Sequence, residues 1–476
     1  MAKIVYRRHD RNEMPLMPPE KRKKTFDEYA LGFPVNVAID EAYRCILCKK
    51  APCIPVCPAE LDIPRWIEQI QKGNMAEAYR IIREKSPFGA VCGRVCPQER
   101  QCESNCVLMF KDNGLSVSIG GLERFAADTV RISGMPFEEE KAPDTGKKVA
   151  VLGAGPAGLS AAYFLAKRGH KVVVYEALPE PGGVMRYGIP PARLDRKALD
   201  YEIELIEKLG VEIKTDHVVG KTITYEDLRK EYDAIFIGVG SGRGKTIGVP
   251  GEGLIGVYTA IEFLTRINLY EAFKFPEGAD TPIPRGKRVV VVGGGFTAVD
   301  CLITSLRLDN ETHLVYRRTR ETSSARDEEW DHVAEEGAIL HWLTQPIEII
   351  GNEKGEVVGI KCIKMELVPD EKGGRPKPKP VPNSEHIIEC DIVVQAVGQG
   401  PNPLAYQDIP GLKIDKWQNL STVDSKFRTN VEGVFAGGDV VNGGDTVVRA
   451  IRHGREAAEA IHEYLMTGKW EYEGEE

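Results

Sequence analysis

The sequence lacks the features that would place it in a membrane or on nucleic acid. No apolar run approaches the roughly 20 residues that a membrane-spanning helix needs. The segment 1–24 is rich in Arg, Lys and Pro but has no apolar core of a signal peptide. With 63 Lys and Arg against 71 Asp and Glu, the net charge of −8 gives no overall attraction to polyanions. We therefore expect a cytoplasmic protein that binds neither nucleic acid nor membrane.

The sequence also lacks a catalytic side-chain arrangement. No Ser/His/Asp set, paired carboxylates or catalytic-metal motif is evident, and no catalytic side chain is predicted. Aromatic residues are only 7%, but apolar residues make up 42% and charged residues 28% of the 476 residues, as in ordinary globular proteins. Because domains average roughly 100–200 residues, this length predicts about three of them.

Cysteine is distributed very unevenly along the chain. Three of the eleven cysteines lie in apolar sequence, where buried and unreactive thiols are expected: Cys301, Cys362 and Cys390. The other eight follow the pattern Cys45-x2-Cys48-x4-Cys53-x3-Cys57-Pro, Cys92-x3-Cys96-Pro, Cys102-x3-Cys106. In a reducing compartment such spacing indicates metal ligands, and the two Cys-Pro pairs favour two [4Fe–4S] clusters whose ligands cross between runs. Structural zinc and a catalytic or disulfide arrangement are the alternatives.

Apolar periodicity outlines the domains. Spacings of three and four residues predict helices over 37–44, 63–71, 76–85 and 119–131, and hence a helical cysteine domain over 1–134. The segment 134–146 mixes acids, Pro and Gly and is predicted to be an exposed linker. The Lys/Pro/Gly-rich segment 369–382 is predicted to be a solvated hairpin tip, with a partner or nucleic-acid contact as the alternative.

A first glycine motif, Gly153-Ala-Gly155-Pro-Ala-Gly158, ends a β-branched apolar run and opens a predicted helix. Gly153 suits a tight turn, Gly155 lets backbone amides approach a pyrophosphate, and Gly158 permits close helix packing. The next apolar run ends in Glu176, whose carboxylate would accept from ribose hydroxyls. This combination predicts a dinucleotide site, and a tight turn without a ligand is the alternative.

Two later segments are assigned to the same site, which we expect to hold FAD. Gly182-Gly183-Val-Met-Arg186-Tyr-Gly188 is too rich in glycine for a core element and would cover a flavin ring, with Gly183, Arg186 and Gly188 as candidates. Near the C-terminus, Gly438-Asp439 ends a strand and Thr446 precedes a helix. The amides at that helix N-terminus would stabilise negative charge on a reduced flavin. A strand–turn–helix that serves stability alone is the alternative.

A second glycine motif runs from Gly293 through Gly295 to Ala298, after another β-branched run. The position 23 residues after Gly293 is Tyr316, not an acid, and Arg317, Arg318 and Arg320 follow. Guanidinium groups at this position suit a 2′-phosphate, so the motif favours NADPH over NADH. Arg326 either joins this cluster or pairs with Asp327 or Glu328, and His313 is expected to pack at the strand.

Together these motifs resemble the small (beta) subunit family of glutamate synthase. Its relatives include the large subunit of NADH-dependent reduced ferredoxin:NADP oxidoreductase, sulfide dehydrogenase and the N-terminal half of dihydropyrimidine dehydrogenase. The resemblance implies an α/β fold in which the helical iron–sulfur domain precedes two glutathione-reductase-like Rossmann domains. It places FAD on 148–285 and 397–476, and NADPH on an inserted domain over 286–396.

The resemblance also implies a ligand set. One cluster would be held by Cys45, Cys48, Cys53 and the carboxylate of Glu123, and the other by Cys57, Cys96, Cys102 and Cys106. Cys92 is left over. The alternative for Glu123 is an ordinary surface acid paired with Arg124 or another base.

The leading hypothesis is an electron-input subunit. NADP(H) would exchange hydride with FAD, and single electrons would pass through two [4Fe–4S] clusters to a second redox subunit. That partner would resemble the glutamate synthase large subunit. A bifurcating subunit, with a flavin/[2Fe–2S] partner that reduces NAD and with ferredoxin, is the second hypothesis, and a nucleotide-bound redox sensor or scaffold is the third.

Overall fold

The computed structural model describes residues 10–110, 114–370 and 374–470. None of the helices in these ranges is both long and apolar enough to span a bilayer.

The N-terminal part is helical, and its helices follow the predicted periodicity closely. The periodic segment 63–71 forms one helix with the predicted bounds, and its buried residues include Trp66, Ile67 and Ile70. Gly134, at φ +63°, ends the last helix of this part in the left-handed conformation that glycine adopts at little cost. The helices are α1 (Pro19–Arg22), α2 (Val35–Arg44), α3 (Cys53–Val56), α4 (Ile63–Gln71), α5 (Met75–Arg83), α6 (Gly89–Val95) and α7 (Ile119–Ser133).

The segment 134–146 is irregular, as predicted, but it is anchored to both of its neighbours. Phe137 is buried against Tyr79 of α5. The Glu139 carboxylate accepts hydrogen bonds from Arg83, at 2.6 Å, and from the hydroxyl of Tyr163, at 2.8 Å. Because Tyr163 belongs to the next domain, these contacts fasten the cysteine-bearing helices to it.

The first Rossmann sheet has five parallel strands in the order β16-β4-β1-β2-β3. Its central strand begins at Lys148, and its next four residues are buried, as a β-branched run in a parallel sheet predicts. The strands are β1 (Lys148–Leu152), β2 (Lys171–Tyr175), β3 (Glu212–Lys214), β4 (Ala234–Ile237) and β16 (Val434–Ala436). The helices of this part are α8 (Pro156–Lys167), α9 (Val184–Tyr187), α10 (Arg196–Glu207), α11 (Tyr225–Glu231), α15 (Asp439–Asn442) and α16 (Val447–Thr467).

The second Rossmann sheet also has five parallel strands, in the order β6-β14-β7-β8-β9. It includes Val257–Thr259, which lies upstream of the expected boundary at 286 and pairs with Val393–Gln395. The strands are β6 (Val257–Thr259), β7 (Arg288–Val292), β8 (Glu311–Val315), β9 (Ile339–His341) and β14 (Ile392–Gln395). The helices are α12 (Ala260–Asn268), α13 (Phe296–Leu306) and α14 (Asp327–Glu335).

Two smaller pairings complete the architecture. An antiparallel sheet projects from the second Rossmann unit, and its strands are β10 (Thr344–Gly351), β11 (Val357–Val368), β12 (Lys377–Pro380) and β13 (His386–Glu389). A two-stranded link pairs β5 (Arg243–Gly244) with β15 (Gln399–Gly400) where the chain passes between the two units. Strands β11 and β12 form the hairpin predicted over 369–382, with Val368 opposite Lys377. Residues 371–373, between these strands, lie outside the described residues.

Buried polar contacts fix the cysteine-bearing helices against both Rossmann units. The Glu202 carboxylate of α10 accepts from the amide of Ala90, at 2.7 Å, at the start of α6. The Arg22 guanidinium, which is 1% exposed, pairs with Glu336 beside α14. A buried charge requires such a partner, so this hydrogen bond and this ion pair hold the three parts in one arrangement.

Candidate functional site

The first glycine loop has the geometry of a dinucleotide turn. Gly153 sits at φ +96°, and a Cβ there would lie 2.7 Å from the carbonyl oxygen of Gly238. A Cβ on Gly158 would lie only 1.9 Å from the Gly153 oxygen, so α8 packs too closely for any side chain. Helix α8 begins after Gly155 without a side-chain cap, which leaves its first amides for a ligand.

Glu176 lies at the end of β2 and faces this loop. Its carboxylate accepts from the amide of Ala154 at 2.7 Å and from the amide of Leu178 at 3.0 Å. Burial raises the pKa of this carboxyl, and the amide hydrogen bonds oppose the rise. The acid predicted for ribose recognition is therefore held against the glycine turn.

The Gly182–Gly188 segment lies directly over the loop. A Cβ on Gly183 would lie 2.6 Å from the Cα of Gly155, so the two glycine backbones touch. A Cβ on Gly188 would lie 2.7 Å from a methyl carbon of Val184. The Arg186 guanidinium donates to the Pro181 oxygen and pairs with Asp200. In the structure the Arg186 guanidinium thus stabilises the segment and is already engaged by other residues.

The C-terminal candidates join the same place because α16 packs on α8. A Cβ on Gly454 would lie 2.2 Å from the Ala157 oxygen, so these helices are in close contact. Gly438 has φ +79° and donates its amide to His453 Nδ1 at 3.0 Å. Burial raises the pKa of Asp439 to about 7. The first glycine loop and the C-terminal segment around 438–454 therefore lie at one site.

Thr446 supplies the observation that tests whether a cofactor fits. Its hydroxyl is buried without a hydrogen-bond partner among the described residues, and it directly precedes Val447, the first residue of α16. A buried unpaired hydroxyl is costly, and the first amides of a helix lack intrahelical partners. An orphaned hydroxyl, unpaired amides and a glycine cradle fit the polar edge of a flavin and its pyrophosphate.

The second glycine loop repeats the first with different neighbours. Gly293 lies at φ +148°, and a Cβ there would lie 2.3 Å from the Ala396 oxygen. Helix α13 begins after Gly295 without a side-chain cap, and Ala298 is fully buried. Gly294, which the sequence analysis did not single out, lies under the Tyr316 ring, because a Cβ there would be 2.3 Å from it.

The arginines after β8 fall into two groups. Arg320 pairs with Asp331 at 2.7 Å, and Arg326 pairs with Glu328 at 2.7 Å and with Glu99 at 2.9 Å. Arg326 therefore follows the ion-pair alternative. Arg317 is exposed and makes no ion pair within the described residues, while Arg318 donates to the Pro376 oxygen. Two guanidinium groups thus remain without acids at the strand end.

A third such group was missed by sequence reasoning. The Arg375 guanidinium, on the β11–β12 hairpin, donates to the Tyr316 hydroxyl at 3.2 Å although 59 residues separate them. The pKa of Arg318 is lowered, by burial first and then by the positive charges of Arg375 and Arg317. No linear motif could have revealed this, because the contact depends on where the hairpin folds back.

His313 packs as predicted, 8% exposed and stacked on His341.

The three scattered thiols, Cys301, Cys362 and Cys390, are buried, and burial raises the pKa of each.

The eight clustered cysteines form an outer and an inner set. The outer set lines one cavity and is partly exposed, and it consists of Cys45, Cys48, Cys53 and Cys106. The inner cysteines are buried, and they are Cys57, Cys92, Cys96 and Cys102. Within the described ranges no three His, Cys, Asp or Glu side chains are grouped so that they could hold one metal ion. The outer thiols surround a space, as ligands of a multi-iron cluster do.

Glu123 lies beside the inner set, whereas the resemblance groups it with Cys45, Cys48 and Cys53. Its charge raises the pKa values of all four inner thiols, although it is not the largest cause for any of them. The fold explains this position, because α6, which carries Cys92 of the inner set, packs on α7, which carries Glu123. A Cβ on Gly93 of α6 would lie 2.5 Å from the Arg124 amide. The Cys106 thiol instead turns toward the first run.

Glu123 is not an ordinary surface acid. It is 5% exposed, and its Oε1 atom has no hydrogen-bond partner among the described residues. Burial and then the charge of Glu202 raise its pKa well above the usual range. Arg124, its suggested partner, pairs with Glu28 and Asp128 instead. An unpaired buried carboxylate beside thiols fits a position that a cluster iron would satisfy.

Comparison with protein families divides the chain in the same way. Residues 22–135 match the family model for dihydropyrimidine dehydrogenase domain II, 4Fe-4S cluster. Residues 147–454 match the model for pyridine nucleotide-disulphide oxidoreductase. A solved structure, Mycobacterium tuberculosis FprA in complex with NADPH, aligns with a TM-score of 0.56 at 21% identity, over 69% of this chain and 86% of that one. This last similarity supports the fold alone.

Two curated relatives extend over most of the chain. The glutamate synthase [NADPH] small chain of Halomonas elongata is 36% identical over 94% of this chain and 95% of its own length. The NADP(+)-dependent formate dehydrogenase subunit beta of Moorella thermoacetica is 40% identical over 88% of this chain, but the match spans only 60% of that protein. The chain belongs to the pyridine nucleotide-disulphide oxidoreductase family, in the group that includes the glutamate synthase small chains.

Proposed function

We propose that the chain is the electron-input subunit of an NADPH-dependent flavin and iron–sulfur oxidoreductase. One observation carries the proposal: a single chain combines two glycine loops with two sets of cysteines. The strand after the first loop ends at an acid, and the strand after the second ends at arginines. The names of the glutamate synthase and formate dehydrogenase relatives support NADP(H) as the nucleotide. No side chain is proposed to act as a catalytic acid, base or nucleophile.

The first Rossmann unit would hold FAD. The amides that follow Gly153 and Gly155 would bind the pyrophosphate, and Glu176 would accept from the ribose hydroxyls. Thr446 and the first amides of α16 would face the flavin's polar edge, where the helix dipole favours negative charge. Asp439, whose carboxylate accepts from the Asp445 amide at 3.3 Å, would line the same site. Arg186 is proposed to act through the segment it braces, because its guanidinium is already engaged.

The second Rossmann unit would hold NADP(H). Gly293, Gly295 and Ala298 form the turn, and Arg317 and Arg318 would bind the 2′-phosphate by charge-assisted hydrogen bonds. In this proposal the nucleotide unit begins at β6 rather than at 286, because Val257–Thr259 pairs within its sheet. The first unit would then comprise about 148–256 and 397–470.

The cysteine sets would hold two [4Fe–4S] clusters. Cys45, Cys48, Cys53 and Cys106 would ligate the outer one, and Cys57, Cys96, Cys102 and Glu123 the inner one. Cys92 would remain a neighbour, since its thiol is hydrogen-bonded with that of Cys96. When bound, FAD supplies two-electron exchange with the nucleotide and one-electron exchange with the clusters.

The outer set is the proposed exit site for electrons. Its cysteines are partly exposed, and Ile46 and Phe110 beside them are 46% and 78% exposed. Lys49 and Lys50 are exposed on the same loop. We propose that a second redox subunit with an apolar and acidic surface docks here and receives single electrons. The relatives are named as a subunit and a small chain, which supports such a partner. We propose that the complex lies in the cytoplasm.

Anaerobic purification of the whole chain tests the proposal. We expect about eight iron atoms per chain, one FAD, and NADPH-dependent reduction of a dye acceptor. Cys106→Ala should lower the iron content to about four, and Cys301→Ala, in a buried thiol outside both sets, should leave it unchanged. Zinc in place of iron, or a flavin-free protein that NADPH cannot drive, would refute the proposal.

A further inference from the structure

The β11–β12 hairpin reaches the end of β8 through a continuous series of contacts. The Leu343 amide donates to the Arg318 oxygen at 3.1 Å, and the Met365 amide of β11 donates to the Leu343 oxygen at 2.7 Å. Met365 is paired in turn with Pro380 of β12. The position of the hairpin relative to the arginine pair is thus fixed by backbone hydrogen bonds rather than by chance proximity of long side chains.

Two residues of the hairpin contact the end of β8. The Pro376 oxygen accepts from the Arg318 guanidinium, and the Arg375 guanidinium donates to the Tyr316 hydroxyl at 3.2 Å. Tyr316 also lies on Gly294 of the second glycine loop. Arg375 is therefore beside the nucleotide turn, although the sequence places it in a segment that resembles a solvated tip.

Three guanidinium groups gather here. Within the described chain, Arg317, Arg318 and Arg375 make no ion pair, whereas Arg320 and Arg326 pair with carboxylates nearby. The charges of Arg317 and Arg375 oppose the protonation of Arg318. Gathered like charges are unfavourable unless an anion occupies the space between them.

We infer that Arg375 is a third binding group for the 2′-phosphate of NADPH and sets the preference for NADPH over NADH. The inference rests on the proposed nucleotide site and deepens it. Guanidinium groups bind phosphate oxygens through two parallel hydrogen bonds, so a third one adds further charge-assisted contacts to the same anion. The hairpin thereby belongs to the nucleotide site.

Equilibrium binding to the anaerobically purified holoprotein tests the inference. The probes are adenosine 2′,5′-bisphosphate and 5′-AMP, which differ only in the 2′-phosphate, and calorimetry measures both. Arg375→Ala should weaken the bisphosphate about tenfold, the loss expected for one charge-assisted contact of an exposed group, and leave 5′-AMP unchanged. Arg375→Lys should recover part of the loss. The KM for NADPH should rise with kcat unchanged.

Lys379→Ala is the matched control, because Lys379 is an exposed cation on the same hairpin, paired in register with Glu366. It should bind both probes as the wild type does. If the wild type prefers the bisphosphate and Arg375→Ala keeps that preference, the inference is overturned while the nucleotide proposal stands. If the wild type does not distinguish the probes, the proposed NADPH preference fails and the inference fails with it.

Discussion

The two glycine loops share their backbone geometry but differ at the end of the following strand. In both, a glycine with positive φ makes the turn and a helix starts without a side-chain cap. After the first loop a buried acid, Glu176, accepts from the turn itself. After the second, Tyr316 covers the turn, and the arginines that follow or lie nearby, Arg317, Arg318 and Arg375, make no ion pair with any residue that the structure describes. In the proposed function, the turn binds a dinucleotide and the residues at the strand end determine which one.

The largest expected effect comes from substitution of the third small residue of each glycine loop, which is Gly158 in the first and Ala298 in the second. Gly158→Ala would place a Cβ 1.9 Å from the Gly153 oxygen, a backbone atom that cannot move without opening the turn. We expect FAD content to fall more than about tenfold, while Ala298→Gly keeps the KM for NADPH within about twofold. Flavin absorbance measures the first effect, and iron content verifies that the variant folds. Normal flavin content in Gly158→Ala would contradict the proposed cradle.

The next test removes positive charge from the second site. Removing two guanidinium groups with Arg317→Ala and Arg318→Ala should raise the KM for NADPH about a hundredfold relative to that for NADH. Steady-state kinetics with both nucleotides measure this ratio. Arg320→Ala is the control, because that guanidinium is already paired with Asp331. An unchanged ratio in the double variant would remove these arginines from phosphate recognition.

A smaller effect is expected from the acid of the first site. Glu176→Ala would remove the acceptor for the amides of Ala154 and Leu178 as well as for the ribose. We expect FAD to bind about tenfold more weakly while the KM for NADPH stays constant. Titration of flavin-free protein with FAD measures the affinity. An equal loss at both nucleotide sites would mean that the variant acts through general destabilisation.

The smallest effect is a pH dependence that belongs to the first site alone. Because the pKa of Asp439 rises to about 7, folded flavin-free protein holds a proton that the unfolded chain releases above its ordinary pKa of 3.8. The free energy of unfolding should therefore fall as pH rises from about 4 to about 7. Asp439→Asn should lessen this fall by on the order of 1 kcal/mol, with allowance for partial exposure. Denaturant titrations at several pH values measure it, with exposed Asp408→Asn as control. Parallel curves for wild type and Asp439→Asn would contradict it.

Contiguous patterns predicted much of this molecule. The helix over 63–71, both β-branched strands and both glycine turns follow from short periodicities and from sterics within a few residues. The two-part family comparison agrees with the predicted order of a cysteine-bearing region followed by nucleotide-binding sequence.

What the sequence could not predict depends on distant parts of the chain meeting. Cys106 lines one cavity with Cys45, Cys48 and Cys53, and the packing of α6 on α7 places Glu123 elsewhere, which no spacing encodes. The addition of Val257–Thr259 to the second sheet and the reach of Arg375 to Tyr316 are likewise long-range pairings. The bracing role of Arg186 depends on Asp200, on another helix.

An anaerobic titration of the purified chain with NADPH tests the central claim most directly. Optical and paramagnetic resonance spectra would follow the flavin and the clusters in one sample. If the chain takes electrons from NADPH and passes them to its N-terminal domain, the flavin band bleaches and signals of reduced clusters develop without any other protein. Unchanged spectra from a sample that contains both flavin and iron would contradict the account.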